Sequence, residues 1–168
     1  KEYAKFKPLK REKVNWLERT ELLIKEEGIQ KLQNARVLIV GLGGVGGSAA
    51  EFITRAGIGN LTIVDGDVVS LTNINRQLPA LHSTIGKPKT EVVAERLLDI
   101  NPALNLTVIN EFLSPERAWD IVTPDYDYVI DCIDSITPKL NLILSSKRKR
   151  VKIVSCMGAG GATDVSQI

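Results

Sequence analysis

Five short apolar runs divide the chain, at residues 37–40 (VLIV), 61–65 (LTIVD), 106–109 (LTVI), 128–132 (YVIDC) and 152–156 (KIVSC). Their length and their valine and isoleucine content are those of buried strands. Longer amphipathic stretches lie between them, over 44–56, 88–101, 115–121 and 138–148, and these predict helices. Pro88, Pro115 and Pro138 suit first helical turns, where a missing N–H costs nothing, and Ser114 precedes one of them as a natural N-cap. Ahead of the first strand, Leu22, Leu23, Ile29 and Leu32 make an irregular helical stripe with Gly28 near its end. Strand and helix alternate throughout the rest, which predicts right-handed βαβ crossovers. The expected fold class is α/β: a doubly wound, Rossmann-like, mostly parallel sheet with helices on both faces.

The junction between the first strand and the first of these helices carries chemistry. Gly41, Gly43, Gly44 and Gly46 fall in GLGGVG, a G-x-G-x-x-G turn of the Rossmann type. In that turn the first glycine permits the tight bend, the second lets a phosphate approach the backbone, and the third lets helix and strand pack closely. The N–H groups opening the helix, with the positive end of its dipole, favour bound phosphate. Asp65 ends the second strand, where a carboxylate accepts hydrogen bonds from ribose hydroxyls. A nucleotide site is the expectation, and the motif leaves the nucleotide open.

Composition narrows the class without naming the ligand. The 168 residues are 43% apolar and 25% charged, ordinary for a globular domain. No run reaches the roughly 20 apolar residues of a membrane span, and KEYAKFKPLKREK at the start lacks the apolar centre of a signal peptide. Cys132 and Cys156 are far apart with no C-x-x-C, so neither a disulfide framework nor a zinc cluster is expected, and a reducing cytoplasm fits. The net charge of +2 does not by itself argue for nucleic acid; residues 1–13 and KRKRVK at 147–152 could meet phosphates, but a solvated arm and cations suited to a helix C-terminus are the favoured reading. A basic arm and helix over 1–33 and a nucleotide-binding domain over 34–168 are the expected units. The sequence stops as GAGGATDVSQI leads toward a further strand, so it reads as truncated at its C-terminus.

The segment after Asp65 chooses among nucleotides. A connection of about 20 residues, long for a βα loop, carries Asp67, Asn73 and Arg76, and Lys89 opens the next helix. The fourth strand ends in Asp131-Cys132-Ile133-Asp134, at the carboxyl edge where doubly wound sheets bind ligands. Two cations, an amide and a carboxylate suit a triphosphate: Arg76 and Lys89 neutralise charge and Asp134 can hold magnesium. A nicotinamide dehydrogenase has no need of that set.

The ordering GLGGVG … VDGD … TNINRQ … GKPK … DCIDS resembles the superfamily of ubiquitin-activating-type adenylating enzymes, which includes the adenylyltransferases of thiamine and molybdopterin synthesis. The DSITPK segment, where most members have Asn after the aspartate and then an arginine, together with NRQLPALHSTIGKPK, INP and GAGGATDVSQI, resembles the tRNA threonylcarbamoyladenosine dehydratases. The resemblance implies ATP and Mg2+ as cofactors. Gly41, Gly43, Gly44 and Gly46 would then cradle phosphates, Asp65 with Asp67 would lie at the nucleotide, and Asn73, Arg76 and Lys89 would hold the polyphosphate. Asp134 would position the metal, so that Asn73, Arg76, Lys89 and Asp134 form the catalytic set. It further implies tRNA bearing threonylcarbamoyladenosine as substrate, activated as an acyl-adenylate, and a cytoplasmic homodimer in which an arginine reaches into the partner's site; Arg19 is the candidate, with Arg11 or a plain solvent role for Arg19 as the alternatives. Adenylation of the Gly-Gly tail of a small sulfur-carrier protein is the alternative, which would make that carrier or another sulfur-transfer protein a partner. A non-catalytic subunit of a heterodimeric activating enzyme is a further one, although such a chain is expected to lose the Arg76, Lys89 and Asp134 set.

Other conspicuous residues read as structural. Cys132 in its strand and Cys156 at a strand end are expected to pack, His82 to sit in a loop, and Trp119 to pack rather than stack on a base. Asp67 and Asp131 suit either the site or a local turn.

Overall fold

The computed structural model describes residues 15–157. The basic arm, Arg11 and the glycine-rich segment from 158 to 168 lie outside the described residues. Five strands, β1 (Arg36–Val40), β2 (Asn60–Val64), β3 (Asn105–Ile109), β4 (Tyr128–Asp131) and β5 (Lys152–Ser155), form one sheet in the order β3-β2-β1-β4-β5. Every pairing is parallel. Chain order runs outward from β1 to β3, then restarts on the other side of β1 with β4, so the topological switch point lies between β1 and β4. Loops at such a switch splay apart and leave a crevice at the carboxyl ends of the strands.

β1 explains why the strands read as continuous apolar runs. Val37 and Ile39 face one side, into a core with Ala50, Val93 and Leu97 of helices α2 (Gly44–Arg55) and α3 (Lys89–Ile100). Leu38 and Val40 face the other, into a core with Ala118, Ile121 and Leu142 of α4 (Pro115–Ile121) and α5 (Ile136–Arg148). Both faces are covered, so period-two alternation of polar and apolar residues has no reason to appear. Pro115 occupies the first turn of α4 behind Ser114, whose hydroxyl accepts the Arg117 amide at 3.2 Å, while Pro88 stands just outside α3 as its cap.

The helix before β1, α1 (Glu18–Asn34), departs from the expected stripe. A kink at Lys25, with φ of 65°, splits it in two. Beyond the kink Ile29 is buried and Leu32 packs on the α2–α3 core, but before it Leu22 and Leu23 are exposed. The four apolar positions therefore never share a face.

α2 and α3 are also joined by charge. Glu51, almost buried, accepts Arg96 Nε at 2.5 Å and Nη2 at 3.1 Å from α3, and Arg55 Nε at 2.9 Å from its own helix. The Arg96 guanidinium, helped by Arg55 and opposed by burial, holds this carboxyl below the ordinary glutamate range. Both arginines are half exposed, which screens the pair, so Glu51→Gln is expected to cost about 1 kcal/mol near neutral pH. A depressed folded-state pKa gives stability that is present above the ordinary carboxylate value and lost as pH falls through the folded one. Urea unfolding of Glu51→Gln and the parent protein should therefore differ at neutral pH and converge in acid. An equal difference at both would mean that the charge on Glu51 contributes nothing.

Candidate functional site

The glycine turn sits at the switch point. Gly41 has φ of +90°, a left-handed conformation that favours glycine, and a Cβ there would meet the Cys132 carbonyl oxygen at 2.6 Å. A Cβ on Gly46 would meet the Gly41 carbonyl oxygen at 1.7 Å, so this glycine sets how closely α2 packs on β1. Gly43 differs: a Cβ there would meet only the Gln77 side chain, at 3.7 Å. Its lack of a side chain serves no packing in the protein itself and leaves room for a ligand to touch the backbone. Gly44 lies under the long connection, its would-be Cβ 3.0 Å from the Arg76 carbonyl oxygen.

A cavity of about 320 Å³ opens over this turn, lined by Gly41, Gly43, Gly44, Asp65, Asp67, Arg76, Gln77, Lys89, Glu111, Phe112, Cys132 and Asp134, among others. That volume falls within the range of small-molecule sites. Asp65, one residue past β2, accepts the Leu42 amide at 2.6 Å and the Asp67 amide at 2.7 Å, one on each oxygen. It thus locks the glycine turn to the start of the connection. An ionised carboxylate has about four lone-pair sites, so ribose hydroxyls can still be accepted.

The connection from 65 to 88 is folded. Two 3-10 turns, Leu71–Asn73 and His82–Thr84, punctuate it, and Val68 bridges to Pro88. Asn73 is buried, its side-chain oxygen accepts the Ser70 amide at 3.1 Å, and its carbonyl accepts the amides of Arg76 at 3.1 Å and Gln77 at 2.9 Å. It does not line the cavity; it shapes the turn that presents Arg76. The Arg76 guanidinium is exposed and held on its own loop by the Thr72 carbonyl and the Asn75 side chain, both at 3.0 Å. Lys89 is buried at 5% exposure, with Nζ 2.8 Å from Asp67 Oδ2. Asp67 keeps an otherwise unsatisfied buried ammonium paired and aimed at the cavity. His82 lies in its turn, exposed and outside the cavity.

On the far wall Asp134 is exposed, touched only by the Ser135 hydroxyl at 3.2 Å. Asp131 is different. It is fully buried, its Oδ2 accepts Lys139 Nζ at 2.6 Å and the Ser155 hydroxyl at 2.5 Å, and its Oδ1 accepts the Ile133 amide at 3.0 Å. Lys139 Nζ also donates to the Cys156 carbonyl at 2.9 Å. Of the two roles open to Asp131, the local structural one holds.

Two expectations for the cysteines fail. Cys132 lies one residue beyond β4 and lines the cavity instead of the core, and Cys156 lies one residue beyond β5 and is exposed. Trp119 is also 44% exposed, with Lys149 Nζ 4.4 Å from its ring centroid. Arg19, in the first turn of α1, is exposed and does not line this chain's own cavity.

Gln77 and Phe112 were not candidates in the sequence. Gln77 is 9% exposed and lines the cavity, with its side-chain nitrogen the atom nearest the Gly43 turn and its Oε1 buried without a partner. Its place beside Arg76 in NINRQ was the available signal. Phe112 is 73% exposed at the cavity wall after β3. No group of three or more His, Cys, Asp and Glu side chains that could hold a metal is found among the described residues. A lone carboxylate at Asp134 fits a magnesium ion that arrives on phosphates, since Mg2+ takes one or two carboxylates and completes its shell with phosphate and water.

A tight glycine turn at a helix start, a carboxylate one strand away and two cations under a long connection define a doubly wound domain with a cavity of small-molecule size at its switch point. The chain belongs to the ThiF family, whose model matches residues 17–168. It is 46% identical over 142 residues to the tRNA threonylcarbamoyladenosine dehydratase of Haemophilus influenzae, covering 84% of this chain and 54% of that one. Against the molybdopterin-synthase adenylyltransferase of Escherichia coli the identity is 37% over 129 residues, covering 77% and 51%. The crystal structure of the E. coli dehydratase in complex with ATP superposes with a TM-score of 0.85 at 42% identity, covering 90% of this chain and 62% of that one. The chain thus spans little more than half the length of these relatives.

Proposed function

We propose that this chain is the ATP-binding part of an adenylating enzyme that dehydrates threonylcarbamoyladenosine in tRNA. The observation that carries the reading is the convergence of the glycine turn, Arg76, Lys89 and Asp134 on one cavity. The similarity to the H. influenzae dehydratase supports the choice of substrate.

In this reading the phosphates lie over Gly43 and the start of α2, with ribose hydroxyls on Asp65 and the adenine against Phe112. Arg76 leaves its own loop carbonyl for a phosphate oxygen, and Lys89, held in reach by Asp67, takes another. Asp134 would hold the magnesium that ATP brings. The substrate carboxylate attacks the α-phosphorus, pyrophosphate leaves, and an acyl-adenylate forms. The neighbouring carbamoyl nitrogen or oxygen then attacks the activated carbonyl, AMP leaves and a ring closes, with net loss of water. A carboxylate is already a nucleophile, so the chemistry asks for positioned charge and for no general base among these residues. The enzyme is proposed to be a cytoplasmic homodimer, with Arg19 acting across the interface.

The test is ATP turnover by the full-length protein with magnesium, on tRNA carrying threonylcarbamoyladenosine and on tRNA lacking it, with the base weighed by mass spectrometry. AMP release with loss of one water from the modified base alone is expected. Arg76→Ala and Asp134→Ala should each lower the rate roughly 10- to 100-fold, the worth of one charge-assisted contact of about 1.5–3 kcal/mol. ATP–pyrophosphate exchange only with a carrier protein ending in Gly-Gly would replace this substrate assignment. Absence of turnover with either substrate would make the chain a subunit that needs a partner.

A further inference from the structure

Cys132 and Cys156 immediately follow neighbouring parallel strands whose register pairs Asp131 with Ser155. The Cys156 amide donates to the Asp131 carbonyl at 2.9 Å, which closes the last rung of the ladder and leaves the two cysteines as the next residues on either side of it. Successive side chains alternate between the faces of a sheet. Asp131 and Ser155 bond each other on the α5 side. The cysteines therefore share the opposite face, where a Cβ on Gly46 of α2 would lie 3.1 Å from Cys132 Cβ. In-register neighbours on adjacent strands lie roughly 4.8 Å apart, inside the span of roughly 4.4–6.8 Å that a disulfide bridges. Both thiols are free.

We propose that Cys132, in the wall of the nucleotide cavity, and Cys156, exposed beside it, are a redox-active dithiol, closing to a disulfide on two-electron oxidation and weakening nucleotide binding when closed. The two thiols are unequal. Cys156 is exposed and meets the oxidant first. Cys132 is half-buried in the cavity wall, so it serves as the resolving partner. With a peroxide as oxidant, the Cys156 thiolate attacks one oxygen, the O–O bond breaks, and a sulfenic acid forms as the first water leaves. The Cys132 sulfur then displaces the sulfenic hydroxyl, which departs with the Cys132 proton as the second water, and the S–S bond forms. Two thiols lose two electrons and two protons, and the peroxide becomes two waters.

The coupling to nucleotide rests on the function proposed above. Cys132 lines the cavity, and its carbonyl lies against the Gly41 turn. Drawing Cys132 toward β5 moves that wall while Gly41 and Gly46 leave no slack behind it.

The experiment exposes full-length protein to hydrogen peroxide, caps the remaining thiols and digests with trypsin. Cleavage at Lys139 and Lys152 leaves the two cysteines on separate peptides, so the disulfide appears as a linked pair that dithiothreitol separates. ATP affinity is then titrated for reduced, oxidised and re-reduced protein. The linked pair is expected, with a Kd for ATP raised at least about tenfold, ~1.4 kcal/mol, and restored by dithiothreitol. Cys156→Ser should form no link and keep its ATP affinity in peroxide. Absence of the linked peptide, or a linked protein that binds ATP as well as the reduced one, overturns the proposal. A reduced protein that does not bind ATP defeats the nucleotide reading instead, and with it the coupling, while the linked peptide still decides the dithiol by itself.

Discussion

Alanine at position 46 is expected to cost more than about 3 kcal/mol of folding stability and to remove nucleotide binding with it, whereas alanine at position 43 should leave the fold intact and remove binding alone. The two glycines belong to one motif, but their surroundings differ. At 46 the added methyl would lie 1.7 Å from the Gly41 carbonyl oxygen and 3.1 Å from Cys132 Cβ, both on other elements. Neither a carbonyl fixed in a strand-end turn nor a wall residue can rotate away, so α2 must lift from β1. Overpacking a core by one methyl typically costs about 1–3 kcal/mol, and backbone against backbone lies above that range. At 43 the methyl would meet only the Gln77 side chain, at ordinary contact distance, with backbone φ of −70°. Its only victim would be the phosphate proposed to lie on this backbone. Thermal unfolding and ATP titration of the two variants check this together. Equal losses of stability would make the motif a packing device, and undiminished binding by Gly43→Ala would move the phosphates elsewhere.

The same contrast explains how much of the molecule could be read from its sequence. The strands were legible because a parallel sheet covered on both faces demands unbroken apolar runs, and VLIV at 37–40 has no other good reading. Strand ends slipped by a single residue, and that slip mattered: the apolar runs include Asp65, Cys132 and Cys156, yet all three lie just beyond the strands. One step past the end turns a core side chain into a cavity or surface one. Most of the candidate site was legible because its residues cluster at the carboxyl ends of β1, β2 and β4 and the start of α3, which topology alone brings together. Asn73 and Gln77 were not separable by pattern, since which amide of NINRQ faces the cavity depends on a 3-10 turn that local sequence does not announce. The kink at Lys25 was equally silent, and it turned an apparent stripe into two unrelated half-helices.

The least legible feature carries the other large expectation. Nothing in DCIDSITPK announces that Lys139 folds back to a carboxylate eight residues earlier, yet the Asp131–Lys139 pair is the most deeply buried ion pair among the described residues, with side chains 0% and 9% exposed. Lys139→Met should cost about 3–5 kcal/mol, because it strands a buried carboxylate whose remaining partners are the Ser155 hydroxyl and the Ile133 amide. Asp131→Asn leaves the buried ammonium with carbonyl oxygens but no counter-charge, and should cost about as much. The double variant is expected to be more stable than either single one, since replacing both charges by neutral groups of similar shape removes the uncompensated charge. Urea unfolding of the four proteins gives the coupling directly, and a double variant as unstable as the sum of the singles would mean that the two charges do not depend on each other. The pair's contribution would then be specificity rather than net stability. It ties the ends of β4 and β5 to the first turns of α5, and Asp134 sits in the short span between its two members. The Asp134 carboxylate, proposed to meet a metal, is exposed and bonded only to the neighbouring Ser135 hydroxyl, so it does not hold its own loop in place; the buried pair on either side of it does so.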